Sequence, residues 1–79
     1  MRLKKLQANL TRLNINNGYI YFSYETPIAF TKGDTVVISE NIWGRTTGRH
    51  LSRVKEDNEI FVELSNEEFR EELNEVING

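Results

Sequence analysis

Residues 43–50 bring together more side chains with binding chemistry than any other part of this sequence. The segment contains the only Trp and the only His of the chain, together with two Arg, two Thr and two Gly residues. Guanidinium, hydroxyl and imidazole groups donate hydrogen bonds to phosphate and carboxylate groups, and an indole ring stacks on a base or a guanidinium plane. We expect these groups to converge on one solvent-facing surface that binds a partner or an anion, formed by Trp43, Arg45, Thr46, Thr47, Arg49 and His50.

The same residues also have structural interpretations, which the sequence leaves open. Thr46 or Thr47 is a suitable N-cap for a helix, because a threonine hydroxyl accepts a hydrogen bond from a backbone amide of the first turn. His50 is compatible with a half-buried position bonded to the backbone, and Trp43 with the centre of a small core. The two arginines are compatible with solvent exposure or with ion pairs to acidic residues.

Catalysis has little support, and we expect no enzymatic activity and no catalytic residues. One His without a positioned acid makes no recognisable triad, and the phosphate-binding and dinucleotide-binding fingerprints are missing from the sequence. The chain has no Cys, which excludes disulfides, thiolate metal sites and cysteine nucleophiles. A single His argues against a zinc site, which needs three or four ligands. We therefore expect no metal and no cofactor.

Nucleic-acid binding is an alternative that three tyrosines support. Tyr19, Tyr21 and Tyr24 fall on predicted strands. Together with four basic residues they give a mixture of aromatic and basic side chains typical of single-strand binders. The basic residues are Arg12, Arg45, Arg49 and Lys55. The pI of about 5.4 and the lack of a known nucleic-acid-binding fingerprint argue against it. The tyrosines are either additional contacts of the binding surface or side chains that fill the sheet.

Charge is distributed unevenly along the chain. Residues 1–55 contain nine of the ten Lys and Arg residues, whereas residues 56–79 contain nine of the twelve Asp and Glu residues. A bipolar distribution of this kind suggests an interaction with a charged partner or between the two halves of the molecule. An ordinary solvated acidic helix is the simpler interpretation.

Alternating apolar residues and turn signals predict a meander of strands. Asn16-Asn17-Gly18 is a strong hairpin signal, and Lys32-Gly33-Asp34 is a second turn. Whether residues 1–9 form a helix or a strand remains open, because Leu residues there recur at helical spacing. The predicted strands are 10–15, 19–24, 28–30, 35–38 and 59–64. An extension of the first strand back to residue 6 is left open. The strand at 35–38 is expected to pair back on the strand at 28–30.

Two helices complete the prediction. Ser65 and Glu68 have the spacing of a capping box, and Leu64 and Phe69 that of a hydrophobic staple. The apolar stripe of the C-terminal helix consists of Phe69, Leu73, Val76 and Ile77. A shorter helix over about residues 48–55 would follow the two threonines, with Leu51 and Val54 facing inward.

These elements indicate an α+β fold with an antiparallel sheet of four or five strands, packed by the C-terminal amphipathic helix, and one short helix after Thr47. The 79 residues fit a single domain, 1–79. No segment approaches the roughly 18 apolar residues of a membrane span, and no secretory signal is present, so we expect a cytoplasmic protein without a membrane partner. A chain this short buries a limited share of its surface, which makes a homodimer as good an expectation as a monomer.

Two segments of the chain carry a resemblance to a known group of sequences. Residues 23–29 and 43–50 resemble the pattern S-Y-x-T-P-V-A followed by W-S-x-T-T-x-x-H of small uncharacterised proteins from phages, archaeal viruses and plasmids. Ile28 replaces the usual Val, and Gly44 replaces the usual Ser and its hydroxyl. The matching positions are Ser23, Tyr24, Thr26, Pro27, Ala29, Trp43, Thr46, Thr47 and His50.

The resemblance implies an origin in a mobile genetic element and assigns no activity. We expect a small non-enzymatic binding protein, with a host protein or a component of an anti-phage defence system as the favoured partner and inhibition of that partner as its role. The first alternative is a nucleic-acid-binding accessory module. The second is a sponge that captures a phosphate-bearing small molecule at the Thr, Arg and His side chains.

Overall fold

The protein forms a six-stranded sheet with one helix on each face. The computed structural model describes residues 2–7, 9–15 and 18–78. The strands lie in chain order across the sheet, each antiparallel to the next except the last pair, which is parallel. The elements are β1 (Arg2–Gln7), β2 (Leu10–Ile15), β3 (Gly18–Ser23), β4 (Thr26–Lys32), β5 (Thr35–Ser39), α1 (Arg45–Asp57), β6 (Phe61–Leu64) and α2 (Asn66–Asn78). The predicted α+β class, with the C-terminal helix on the sheet, is confirmed.

The two helices cover opposite faces of the central strands. Leu51 and Val54 of α1 pack on one face, and Phe69 and Leu73 of α2 pack on the other. Strands β4 and β5 are therefore buried on both sides, which explains their continuous apolar runs at residues 28–30 and 36–38. The sequence predicted that Leu51 and Val54 face inward, and the structure shows that α1 forms a full layer on the face opposite α2.

The N-terminal residues form a strand of their own. β1 pairs antiparallel with β2, and Leu3 lies opposite Leu13 in that register. The leucines at helical spacing thus belong to two strands separated by a reversal at Asn9, whose φ of 63° lies in the left-handed region. The predicted hairpin that follows is supported by the β2–β3 register, which brings Ile15 opposite Gly18, while Asn16 and Asn17 lie outside the described residues.

The sheet has more strands than the four or five predicted, and its last pair is not antiparallel. β1 adds one strand, and β6 joins β5 in parallel, with Val37 opposite Val62. Parallel neighbours need a long crossover between them, and the 13-residue helix α1 provides it. The predicted pairing of residues 35–38 with 28–30 is confirmed by the register of Ala29 with Ile38.

Both helices differ in detail from their predictions. α1 begins at Arg45 rather than near residue 48, and its N-cap is Gly44, which has no side chain to cap it. In α2 one half of the predicted capping box is confirmed, because the Glu68 amide donates to Oγ of Ser65 at 3.3 Å. The Glu68 carboxylate accepts from the Ser65 hydroxyl at 3.1 Å, in place of the backbone amide that a full capping box uses. Ile77 was predicted to be buried but is exposed at the end of α2. Neither of the helices described here is long and apolar enough to cross a membrane.

Candidate functional site

Two residues of the predicted binding surface lie inside the protein. Thr47 is 8% exposed and His50 is 2% exposed, and both contact Ser23 at the end of β3. The Ser23 hydroxyl lies 3.0 Å from Oγ1 of Thr47 and 2.6 Å from Nδ1 of His50. The expectation that Thr47 and His50 share a solvent-facing surface with the neighbouring arginines is therefore wrong for these two residues.

Helical periodicity explains why these polar residues face inward. Thr47, His50, Leu51 and Val54 are the buried residues of α1, and their spacing of three, one and three places them along one side of the helix. Leu51 and Val54 pack on the sheet, which orients the preceding turn so that Thr47 and His50 lie over Ser23. The first turn of α1 is thus attached to the β3–β4 hairpin by hydrogen bonds within the interior.

Two hydrogen bonds in series link the three side chains of this cluster. When the Ser23 hydroxyl donates to Nδ1 of His50, its lone pairs accept from the Thr47 hydroxyl, and the reverse direction works equally well with the other imidazole tautomer. A hydroxyl bonded to an imidazole is also the arrangement of a nucleophile with its base. Here the hydroxyl is 2% exposed and is shared with Thr47, so the contacts of Ser23 favour a structural role.

Tyr24 follows Ser23 in the chain and has a strained backbone. Its φ of 57° lies in the left-handed region, which a bulky L-residue rarely adopts. The Tyr24 amide donates to the carbonyl of Asn9 at 2.7 Å, and its ring lies 6.1 Å from the His50 ring. The side chain itself is exposed. The turn therefore holds an aromatic ring in solvent at an energetic cost.

A short loop between β5 and α1 presents Trp43. The Asn41 side chain organises this loop, because its Oδ1 accepts from the amides of Trp43 and Gly44, each at 3.1 Å, and its Nδ2 donates to the Gly44 carbonyl at 2.9 Å. Ile42 and Trp43 are both exposed. The interpretation of Trp43 as the centre of a small core is wrong, and its prediction as a surface residue is confirmed.

Trp43 lines a pocket between the loop, β4 and α2. The pocket has a volume of about 240 Å³, and buried Phe69 contributes to its wall. We call this the Trp43 pocket; it is lined by Thr26, Pro27, Ile42, Trp43, Asn66, Phe69 and Arg70. The two motif segments thus meet twice, once inside the protein through Ser23, Thr47 and His50, and once at the surface through Pro27 and Trp43.

Arg70 gives the pocket a cationic wall. It is the one basic residue among the acidic residues of α2, and the positions four before and four after it are Asn66 and Asn74. Among the described residues no carboxylate forms a salt bridge with Arg70, whereas Lys32 pairs with Glu72 at 2.8 Å and Lys55 with Glu63 at 3.9 Å. Ion pairs within the molecule therefore balance part of the predicted charge asymmetry. No salt bridge within the described part of the chain balances the charge of Arg70 at the pocket.

The remaining predicted contact residues lie on the exposed side of the first turn of α1. Arg45, Thr46 and Arg49 are exposed, so they remain available to a partner. Thr46 does not cap the helix, since α1 begins one residue before it. The structure therefore divides the predicted surface into an internal pair and an external group.

The tyrosines do not form a common surface. Tyr21 is buried against α1, and its hydroxyl oxygen accepts a hydrogen bond from Asn58 at 3.3 Å, so its prediction as an additional contact is wrong. Tyr19 is half-buried, and the Arg12 guanidinium lies over its ring at 4.2 Å. Only Tyr24 is exposed. The three tyrosine rings therefore do not form the shared platform for stacking bases that the nucleic-acid alternative expects.

Other chemistry of the site is limited in the described part of the chain. No group of three His, Asp or Glu side chains there is arranged to hold a metal ion. Lys32, outside the pocket, has a shifted pKa: its hydrogen bond and charge interaction with Glu72 raise the pKa of the ammonium above its ordinary 10.5. This shift belongs to the contact between β4 and α2.

Sequence reasoning missed several residues of the Trp43 pocket. Ile42 is an apolar residue beside the only Trp in a predicted irregular segment, and that adjacency was a usable signal of a surface patch. Arg70 was visible as the single base of an acidic helix. Asn66 and Phe69 come from α2, and no pattern in the sequence brings them to residue 43.

Comparison with known proteins identifies a family but no function. The sequence model of DUF8033, described as a family of unknown function, matches residues 1–71. No curated protein and no solved structure matches the chain. The match agrees with the sequence resemblance in pointing to uncharacterised proteins, while the phage or plasmid origin and the motif pattern stay predictions.

Proposed function

The chain belongs to DUF8033, a family of unknown function, and we propose that it is a non-enzymatic binding protein that uses the Trp43 pocket to contact another protein. The observation that carries this proposal is the convergence of residues 23–29 and 43–50 on one end of the sheet. Inside the protein the two segments are joined by the bonds of Ser23 with Thr47 and His50. At the surface, half-buried Pro27 of one segment and exposed Trp43 of the other line the same pocket.

The size of the pocket favours a protein partner over a free small molecule. Sites for small molecules usually have volumes of about 300–1,000 Å³. The 240 Å³ of the Trp43 pocket fits one inserted side chain better than a whole nucleotide. Of the groups on which a phosphate sponge would depend, the Thr47 hydroxyl and the only imidazole, that of His50, are buried.

The chemistry of the pocket and its surroundings defines the partner. Trp and Arg are the residues that most often dominate the energetics of protein interfaces. The Trp43 ring supplies apolar contact, and Arg70 supplies a cationic fork for a carboxylate. Arg45 and Arg49 are exposed on the following turn of α1. The expected ligand is an apolar side chain flanked by an acidic residue.

The biological setting of this binding follows from the sequence resemblance alone. A small protein of a phage or plasmid that binds through one side-chain pocket would act by occupying a surface of a host protein. We propose inhibition of such a host or defence component as its role, within the host cytoplasm. Nucleic-acid binding through Arg12 and Tyr19 is the alternative that the experiment below must separate.

A selection experiment tests the proposal without knowledge of the partner. A ribosome-displayed library of random peptides is selected on the immobilised protein, and the enriched peptides are then assayed on Trp43→Ala, Arg70→Ala and Leu3→Ala variants. Leu3 is an exposed apolar residue on the edge strand β1, and its variant is the matched control. The proposal predicts peptides with an apolar residue next to an acidic one, whose binding is lost in the first two variants only.

Other results of this experiment would reject the proposal. No enriched peptide, or peptides that bind the Trp43→Ala variant as well as the wild type, would exclude the pocket as a protein-binding site. A mobility shift of a mixed oligonucleotide at low salt that weakens steeply with added salt would support the nucleic-acid alternative. Thermal stabilisation by about 2.7 kcal/mol with a phosphate-bearing nucleotide at a hundredfold excess over Kd would support the sponge.

A further inference from the structure

The outer edge of β6 is an unusual surface for a small protein. β6 is the last strand of the sheet and has β5 as its neighbour. Three consecutive apolar residues, Ile60, Phe61 and Val62, are exposed at this edge. An exposed apolar edge strand is a template for pairing with another strand, and natural proteins usually protect such edges with charge, bulges or a covering element.

The hydrogen bonds to β5 fix which backbone groups point outward. The Val36 amide donates to the Ile60 carbonyl at 3.0 Å, and the Glu40 amide donates to the Leu64 carbonyl at 2.8 Å. Because alternate residues of a strand direct their backbone groups to the same side, residues 60, 62 and 64 face β5. Phe61 and Glu63 therefore direct their amides and carbonyls away from the sheet.

We propose that two copies of this chain pair through β6, in an antiparallel arrangement about a two-fold axis that passes Val62. A two-fold axis makes the same patch meet itself, which for two edge strands gives antiparallel pairing. Phe61 of one copy then exchanges both backbone hydrogen bonds with Glu63 of the other, and the reciprocal pair gives about four bonds in all. The two six-stranded sheets become continuous.

Charge selects this register over its neighbours. Outward-facing residues must pair with each other, so an axis at Phe61 would place Glu59 opposite Glu63, and an axis at Glu63 would place that carboxylate opposite its own copy. Like charges directly opposite each other are destabilising. The axis at Val62 avoids both contacts.

Lys55 adds a favourable interaction in the chosen register. Its Nζ lies 3.9 Å from the Glu63 carboxylate and 5.7 Å from the centre of the Phe61 ring. Pairing Phe61 with Glu63 of the second copy brings that second carboxylate to the same side of the sheet as Lys55. The two lysines and two glutamates of the pair then compensate each other.

The opposite side of the same strand is apolar. Val62 lies on the face that α2 covers, in register with Val37 of the α2 core. In the proposed register it meets Val62 of the second copy, and Ile60 meets Leu64. This contact removes from solvent the apolar side chains that the monomer leaves exposed on that face.

A cysteine substitution tests the register directly, because the chain has no Cys of its own. In the proposed dimer, Val62 of one copy lies opposite Val62 of the other at a position without hydrogen bonds, where the Cα atoms are about 4.5 Å apart. Disulfides form at Cα distances of about 4.4–6.8 Å. Val62→Cys is therefore expected to form a disulfide-linked dimer under mild oxidation. Leu3→Cys and Ile77→Cys are the controls, since these residues are 64% and 60% exposed against 45% for Val62. Both controls should cross-link more slowly.

Sedimentation of the unmodified protein completes the test. The wild type is expected to show a concentration-dependent dimer at the protein concentrations of NMR samples. Val62→Lys would place two ammonium groups opposite each other in the dimer. This variant is therefore expected to be monomeric, with an unchanged circular dichroism spectrum. Cross-linking of Val62→Cys no faster than the controls overturns the proposal, as does a dimer that Val62→Lys preserves. A monomeric wild type that binds an extended peptide at β6 instead also overturns it. None of these residues lines the Trp43 pocket, so either proposal can fail without the other.

Discussion

The Ser23 hydroxyl oxygen lies 2.6 Å from Nδ1 of His50, and the two residues are separated by 27 positions in the chain. This contact joins the end of β3 to the second turn of α1 in the interior of the protein. On one side of it the loop before α1 presents Trp43, and on the other the β3–β4 turn presents Tyr24. We infer that the buried bond fixes the positions of these two exposed aromatic residues relative to each other.

Removal of the Ser23 hydroxyl should destabilise the fold. Ser23→Ala leaves Nδ1 of His50 and the Thr47 hydroxyl without this partner in a buried position, and an unsatisfied buried polar group costs about 1–3 kcal/mol. The measurement is the free energy of unfolding in urea. Ser52→Ala, on the exposed side of α1, is the matched control and should stay within about 0.5 kcal/mol of the wild type. A Ser23→Ala variant as stable as the control would contradict a structural role for the bond.

Removal of the Asn41 side chain should release Trp43 from its position. Asn41→Ala removes the three hydrogen bonds that organise residues 41–44. Because Trp43 is the only Trp, its fluorescence reports on this loop directly. We expect greater quenching by acrylamide and a loss of stability of about 1 kcal/mol. Asn74→Ala, exposed on α2, should change neither quantity, and an unchanged Trp43 signal in Asn41→Ala would show that other contacts hold the loop.

Replacement of Tyr24 should relieve strain. A left-handed conformation costs a bulky L-residue about 1–2 kcal/mol, and Asn tolerates it better. With φ at 57°, Tyr24→Asn is expected to leave the melting temperature, measured by circular dichroism, equal to or higher than that of the wild type. A lower melting temperature would mean that the ring contact with His50 stabilises the fold by more than the strain costs.

The ion pair between Lys32 and Glu72 should give a pH-dependent contribution to stability. In the folded protein the pKa of the Lys32 ammonium is raised above 10.5. The ion pair therefore stabilises the fold fully below pH 10.5, and this stabilisation is lost as the pH rises through the raised pKa. Glu72→Gln should therefore lower the melting temperature slightly at pH 8 and have no effect at strongly alkaline pH. The control is Glu71→Gln, on an exposed position of the same helix. If Glu72→Gln lowers the melting temperature equally at pH 8 and at alkaline pH, the loss of stability comes from packing and not from the ion pair.

The sequence contained the information that places Thr47 and His50 inside, although their polarity obscured it. Leu51 and Val54 face the sheet as predicted, and the same helical stripe extends back through His50 to Thr47. Polarity favours an exposed position, whereas a polar side chain is also stable inside a protein when it has a hydrogen-bond partner. That partner, Ser23, comes from a strand that no local pattern connects to α1.

Local signals predicted the remaining elements to different degrees. The helix cap at Ser65 and the hairpin between β2 and β3 depend on neighbouring residues, and both are found. The strand β1, which the sequence left open between helix and strand, and the parallel pairing of the predicted strand β6 depend on more distant partners. The Trp43 pocket is of the second kind, because Arg70 and Phe69 come from α2, which is distant in sequence from Trp43.

Calorimetric titration of a selected peptide into three proteins tests the central claim most directly. The wild type, Trp43→Ala and Leu3→Ala are compared under identical conditions. A central aromatic contact is typically worth about 2 kcal/mol or more, so the account predicts a Kd roughly thirtyfold higher for Trp43→Ala and unchanged for Leu3→Ala. The same Kd for all three proteins would contradict the assignment of the Trp43 pocket as the binding site.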